Sequence, residues 1–364
     1  MSDTAFLQSL LDKGGSVLIP AGNYTVDKTL EIPPYTHVKC EEGCVIRLAD
    51  GANCPLLMNR FEGTDKPACR ITVDGGVWDG NNVGQDRSAY THPLYGWGQA
   101  VCFAATRDLK LINMTIKDPN SFGITITDTE RFTVRDITFD CNCLTGNQDG
   151  VHVNGWAKDG YIGNIMGNTN DDMVALNSDE GDFLSPNCDI TNVVIDGVYG
   201  GDNGWTAVRL LSRNAHLRNI SIRNIFGAYK YNAVSFTHWS GEPVQMGHFD
   251  NVVIENVFAT CCRNSGTGHG GLIWFQSDVS DVGTVIIRNM LRTESEEKKN
   301  ATCTVTAGRN VKIRRLRVEN MVQDIPDGKP LMAIAEGTEI DEFTLDGKKV
   351  SVSDYPILNY FMEI

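Results

Sequence analysis

The amino-acid sequence predicts an all-β chain coiled as a parallel β-helix, and three observations lead there. The first is a recurring pattern: an apolar residue, any residue, Asn or Asp, then an apolar residue or Gly. It stands at Leu111-Ile112-Asn113-Met114, Val134-Arg135-Asp136-Ile137, Ile162-Gly163-Asn164-Ile165 and Val194-Ile195-Asp196-Gly197. It returns at Ile222-Arg223-Asn224-Ile225, Ile254-Glu255-Asn256-Val257, Ile287-Arg288-Asn289-Met290 and Val318-Glu319-Asn320-Met321. The second is its spacing: the Asn/Asp positions are 23, 28, 32, 28, 32, 33 and 31 residues apart. Such steps suit one coil of three short strands, whereas a propeller blade needs about 40 residues or more. The third is the text around each copy. Phe132-Thr133-Val134-Arg135-Asp136-Ile137-Thr138-Phe139 alternates apolar and polar residues, the mark of a half-buried strand. The 3.6 periodicity that a helical solenoid requires is missing. Stacked coils set their strands about 4.8 Å apart, and each buries its apolar residues on those of its neighbours.

The elements follow in order. Solenoid ends need caps, and residues 3–12 are the best helical stretch, with Asp3 as N-cap and Gly14-Gly15 as terminator. Eight marked copies cover residues 111 to 321, and β-like text continues on both sides, at Ile71-Thr72-Val73 and Phe343-Thr344-Leu345. No linker interrupts them. Residues 1–364 therefore read as a single domain of about ten coils, the coils running from about residue 15 to 360. The charged stretch Glu294–Lys299 reads as a solvated loop between coils. A turn-rich insertion at 80–99, containing Tyr95-Gly96-Trp97-Gly98, is placed to wall a groove.

Composition removes several function classes. Lys plus Arg is 32 and Asp plus Glu is 46, a formal net charge of 32 − 46 = −14. A nucleic-acid binder would rest on a basic surface, and an anionic membrane would also be repelled. Hydrophobic residues at 41% exclude wholesale disorder, and 36 glycines suit a turn-rich β protein. No apolar run reaches the ~18 residues of a membrane span. The opening Met1-Ser2-Asp3-Thr4-Ala5 has neither a basic nor an apolar leader region. A cytoplasmic protein is expected, or a secreted one whose leader has been removed. There are 11 cysteines, so one at least is unpaired. Cys40, Cys44, Cys54 and Cys69 could be imagined as a zinc set, but their spacing is irregular and buried reduced thiols are the plainer reading.

Several phrases carry a resemblance. Gly15-Ser16-Val17-Leu18-Ile19-Pro20-Ala21-Gly22-Asn23-Tyr24 is an entry segment, and Val73-Asp74-Gly75-Gly76-Val77-Trp78-Asp79-Gly80 a Gly-x-x-Asp-Gly-like segment. Asp118-Pro119-Asn120-Ser121-Phe122-Gly123 precedes Asn147-Gln148-Asp149-Gly150 and Asn170-Asp171-Asp172. Together, over roughly residues 14 to 260, they resemble glycoside hydrolase family 28, the polygalacturonase family of right-handed, pectin-lyase-like β-helices. The two acidic motifs in order are the specific part, with Gln148 where the family has Thr and Asn170 where it has Gly.

The acids also have a physical case of their own. Asp149 lies 22 residues before Asp171 and 23 before Asp172, about one short coil. Outward carboxylates one coil apart start about 5 Å apart, and inverting glycosidases hold their acid and base about 6.5–9.5 Å apart to admit a water. Clustered like charges keep a proton available near neutral pH. Against this, Asp and Asn are common at solenoid turns for structural reasons, and adjacent strand residues share a face only at a bend. The resemblance implies Asp171 as general acid, with Asp149 and Asp172 holding and deprotonating the water. The product would have inverted configuration, with no covalent intermediate and no metal or cofactor.

The resemblance breaks in two places. The family's Gly-His-Gly motif should fall one coil later, where Gly200-Gly201-Asp202-Asn203-Gly204-Trp205 has no His. A literal Gly268-His269-Gly270 comes 97 residues after Asp172, and a turn or a distant sugar contact suits it better. The family's Arg-Ile-Lys, which grips a galacturonate carboxylate, is replaced in Asn232–His238 by Ser235 and Thr237. A uronate site wants Arg or Lys, which argues against polygalacturonate unless Arg209 compensates; Arg209 could equally pair with Asp202.

Residues six to eight after each repeat position are Asn120, Asp171, Asp172, Asp202, Asn203, Tyr231, Asn232 and Asn264. They would form either a sugar-binding polar column or an asparagine ladder at coil turns. The substrate-binding candidates are Asn120, Asn147, Asp202, Asn203, Trp205, Arg209, Tyr231 and His238, with Trp239 as a further aromatic. The expected partner is a carbohydrate, with no nucleic acid and no membrane. The expected function is inverting glycoside hydrolysis of something other than plain polygalacturonate. A polysaccharide lyase or epimerase with an Arg or Lys base and bound Ca²⁺, and a non-catalytic carbohydrate-binding β-helix, are the alternatives.

Overall fold

A computed structural model describes residues 2–92, 96–178, 188–201, 204–238, 247–261, 270–295, 302–326 and 328–356. They divide into two compact units, one up to Val174 and one from Ala175 on. The first unit opens with the helix Thr4–Leu11, which buries Leu7 and Leu11. Asp3 stands at its N-cap, but its carboxylate accepts from the Thr25 backbone N–H at 2.8 Å instead of capping the helix. Gly14, at φ 61°, turns the chain into the first strand, Gly15–Ile19.

The remainder of the first unit is a stack of parallel strands. Val101–Ile112, Ile124–Asp140 and Val151–Asn168 lie in successive coils. Their alternation places Leu111, Val134 and Ile162 one above another, all fully buried. The second unit repeats this with Ile195, Ile222, Ile254, Ile287 and Val318. The repeat therefore maps onto one inward column in each unit.

The repeat Asn/Asp has a backbone reason. Asn113, Asp136 and Asn164 have φ of 57°, 57° and 50°, and Asn224, Asn256, Asn289 and Asn320 have 61°, 57°, 55° and 50°. The left-handed region bends the chain between strand segments, and Asn and Asp tolerate it best after Gly. Their side chains then ladder across coils. Asn164 Nδ2 donates to Asp136 Oδ1 at 2.8 Å in the first unit. In the second, Asn256 donates to Asn224 at 3.1 Å and Asn320 to Asn289 at 3.0 Å. One copy is shifted. The register pairs Asp196 with Arg223, so Gly197 (φ 89°) takes the left-handed place, while Asp196 Oδ1 still accepts from Asn224 Nδ2 at 2.7 Å.

Close approach also fixes glycines. Gly160 faces Phe132 across the ladder, and a Cβ there would lie 2.1 Å from the ring's Cζ. Phe132 is buried and has little room to yield. Gly160→Ala is expected to cost about 1–3 kcal/mol through overpacking. A urea-unfolding midpoint equal to that of the unmutated protein would show that the ring can move aside.

One expectation changes. Glu294 does not sit in a solvated loop: its side chain is fully buried, as is that of Arg292, to which it is ion-paired. Residues 296–299 lie outside the described residues. Cys40, Cys44, Cys54 and Cys69 are all free thiols, and among the described residues no cluster of three potential ligands contains a cysteine.

Candidate active site

In the first unit the backbone stacks the two acidic motifs. Gly123 N–H donates to Asp149 O and Gly150 N–H to Asp172 O, both at 2.8 Å, so Phe122, Asp149 and Asp172 hold equivalent places on successive coils. Gly150 permits that approach: a Cβ there would lie 2.3 Å from Met173 O. Asp171 occupies the bend just before the strand Asp172–Asn177. The bend is held by Thr169 Oγ1, which donates to Asp171 O at 2.7 Å, and by Asn170 Nδ2, which donates to Thr145 O at 2.8 Å. This resolves the difficulty of adjacent strand residues, because the bend lets Asp171 and Asp172 turn to one side. One carboxylate oxygen from each of Asp149, Asp171 and Asp172 lies within 4.8 Å of the others. Asp149 and Asp172 are buried, while Asp171 is the more accessible.

His152, which no motif marks, joins this cluster. Its Nδ1 lies 2.6 Å from Asp149 Oδ2, and Asn154 Nδ2 stands 3.5 Å from its Nε2. An amide donor at Nε2 and a carboxylate acceptor at Nδ1 fit the neutral tautomer with its proton on Nδ1. The ring stacks on Phe122, centroids 3.8 Å apart and planes 9° from parallel. The signal was present in Val151-His152-Val153-Asn154, whose alternation puts both valines in the core and so turns His152 away from it.

Asn120 and Asn147 flank the acids in sequence and are tied together by Arg87 from the 80–99 insertion. Arg87 Nε donates to Asn120 O at 3.2 Å, Nη2 to Gly146 O at 2.6 Å, and Nη1 to Asn147 Oδ1 at 3.5 Å. Tyr90 of the same insertion is buried, which pushes its hydroxyl well above the ordinary phenol range. The insertion thus clamps the turn that carries Asp149 to the turn of Asn120; Tyr95 lies outside the described residues.

The second unit holds the other candidates. Trp205 and Tyr231 pack with ring centroids 5.0 Å apart and planes at 50°, and Lys230 Nζ sits 4.9 Å above the indole. Arg209 is in register with Ser235, and its Nε donates to Thr237 Oγ1 at 3.0 Å. Arg209 therefore stands beside both residues that replace the family's Arg and Lys. His238 is buried, with Nε2 2.8 Å from Ser277 O, and ties down a turn. Asn232 donates to Gly271 O at 2.7 Å, a turn-to-backbone bond of the ladder kind. Asp202, Asn203, Trp239, Asn264 and His269 lie outside the described residues.

Comparison with known proteins adds a family match. The model of glycosyl hydrolases family 28 matches residues 67–262. No curated protein matches the sequence. Among solved structures, the chain is similar to the family 28 exopolygalacturonase of Yersinia enterocolitica, with 13% identity and a TM-score of 0.62 over 96% of this chain and 76% of that one. The endo-xylogalacturonan hydrolase of Aspergillus tubingensis gives 13% identity and a TM-score of 0.63 over 93% of both chains. The A-module of a mannuronan C-5 epimerase from Azotobacter vinelandii gives 12% and 0.55 over 93% of this chain and 95% of that one. At these identities the likeness is one of fold, the right-handed parallel β-helix.

Proposed function

The chain belongs to glycosyl hydrolases family 28, and from that premise we propose that it hydrolyses O-glycosidic bonds of a poly- or oligosaccharide by an inverting acid–base mechanism. The observation that carries the proposal is the convergence of Asp149, Asp171 and Asp172 at motif spacing on adjoining coils. Asp171, the most accessible, is the general acid that protonates the leaving oxygen. Asp149 and Asp172, stacked on successive coils, hold the attacking water between them and take its proton. The His152 N–H facing Asp149 stabilises the carboxylate anion, which suits a base. One oxygen of each carboxylate lies within 4.8 Å of the others, closer than the ~6.5–9.5 Å usual for inversion. The proposal of inversion therefore rests on the two motifs and not on that distance.

The proposed substrate is not plain polygalacturonate. Ser235 and Thr237 are short and neutral where a uronate clamp would be, and Arg209 already donates to Thr237. A chain at −14 also repels a dense polyanion. The test is a panel of neutral and acidic oligosaccharides followed by proton NMR of the first-formed anomer. Inverted product from a neutral or sparsely charged glycan is expected. A retained anomer would overturn the mechanism. An unsaturated product, lost with chelator and restored by Ca²⁺, would replace it with a lyase.

A further inference from the structure

A second cluster, in the second unit, plays no part in the proposed hydrolysis. His216, His248 and Asp281 are the first residues of three successive parallel strands, His216–Tyr229, His248–Cys261 and Asp281–Thr293. The register puts them in line, His216 beside His248 and His248 beside Asp281. The two imidazole centroids are 4.7 Å apart, and His248 Nδ1 is 2.7 Å from Asp281 Oδ2. One donor atom from each residue lies within 4.8 Å of the other two. His248 is only 7% exposed, and its Nε2 is buried with no hydrogen-bond partner.

We propose that His216, His248 and Asp281 bind one divalent first-row transition ion of the zinc class. Two imidazoles and one carboxylate suit zinc, cobalt or nickel, whereas calcium and magnesium demand oxygen donors. Zinc bonds of about 2.0–2.2 Å place tetrahedral donors roughly 3.3 Å apart, so the His248–Asp281 pair would open slightly from 2.7 Å to admit the ion, with all three donors already within 4.8 Å. Asp281 is half-exposed and opens on a shallow groove with Lys312 and Glu339, which leaves room for water as the remaining ligand. The ion would pin three consecutive coils at the point where their strands begin, and so stabilise the folded state in proportion to its occupancy.

The experiment uses the full chain, stripped with chelator and titrated with ZnCl₂ by calorimetry and with CoCl₂ by visible absorption. One saturable site is expected, with cobalt bands typical of nitrogen and oxygen ligation and a zinc-dependent rise in melting temperature. His216→Asn and Asp281→Asn alter the two less buried ligands, and far-UV circular dichroism checks that both variants fold. Each should weaken zinc binding by at least about tenfold and abolish the thermal shift. Absence of a saturable site overturns the proposal, and so does binding that either folded variant leaves unchanged.

Discussion

Asp171→Asn is expected to leave a folded protein whose kcat falls by about a hundred- to ten-thousand-fold, the usual contribution of a positioned general acid. Folding should survive because the bend at Asp171 is held through its backbone carbonyl and through Asn170. Asparagine keeps the shape but cannot donate the proton that the leaving oxygen requires. The variant should therefore recover on a glycoside with a good leaving group, such as a nitrophenyl aglycone, whose departure needs no protonation. Asp149→Asn and Asp172→Asn should not recover on that substrate, because the water they hold is still needed. His152→Ala acts through Asp149 as a positioning residue, so its loss should be smaller and should move the acidic limb of the pH–rate profile. An Asp171→Asn protein with unaltered kcat would remove this assignment, and equal rescue of all three Asn variants would remove the division of roles.

Much of this site was legible in the sequence because the solenoid converts spacing into position. A residue one coil later lies one strand away, so the separations of 22 and 23 residues already implied adjacency. The same logic located the buried columns through Ile222 and Val134. What escaped needed the third dimension. His152 looked like an ordinary polar residue of an alternating strand, and only its closeness to Asp149 and Phe122 gives it a part. Arg87 lies 60 residues before Asn147, in an insertion with no repeat to index it, so its clamp on the Asp149 turn had no sequence signature. The slip at Asp196 escaped because Gly197 and Asn224 meet the same left-handed requirement with different residues. The polar column was one of two readings open, and at Asn232 the structure favours the turn-stabilising one.

Glu294→Gln is expected to destabilise the second unit by about 3–5 kcal/mol, the cost of leaving a buried charge without its partner. Arg292 is the charge in question. Its side chain and that of Glu294 are both wholly buried, with Arg292 Nε donating to Glu294 Oε1 at 2.9 Å. Lys329 Nζ donates to the other oxygen at 2.9 Å, so a single carboxylate pairs with two cations. Glutamine fills the same volume but removes the negative charge, leaving guanidinium and ammonium to repel in a low-dielectric interior. The two cations differ in their escape. The Lys329 side chain is 11% exposed and can carry its ammonium to water, whereas Arg292 is held within strand Asp281–Thr293 and has no such route. Removing the charges together should therefore recover most of the loss, as buried ion pairs exchanged for apolar residues often do. Arg292→Met with Glu294→Leu is the matched variant, to be compared with Glu294→Gln by urea unfolding. A Glu294→Gln cost below about 1 kcal/mol would place the pair among weak surface bridges and contradict its burial. A double variant no better than the single would show that the network is needed for its shape rather than its charge.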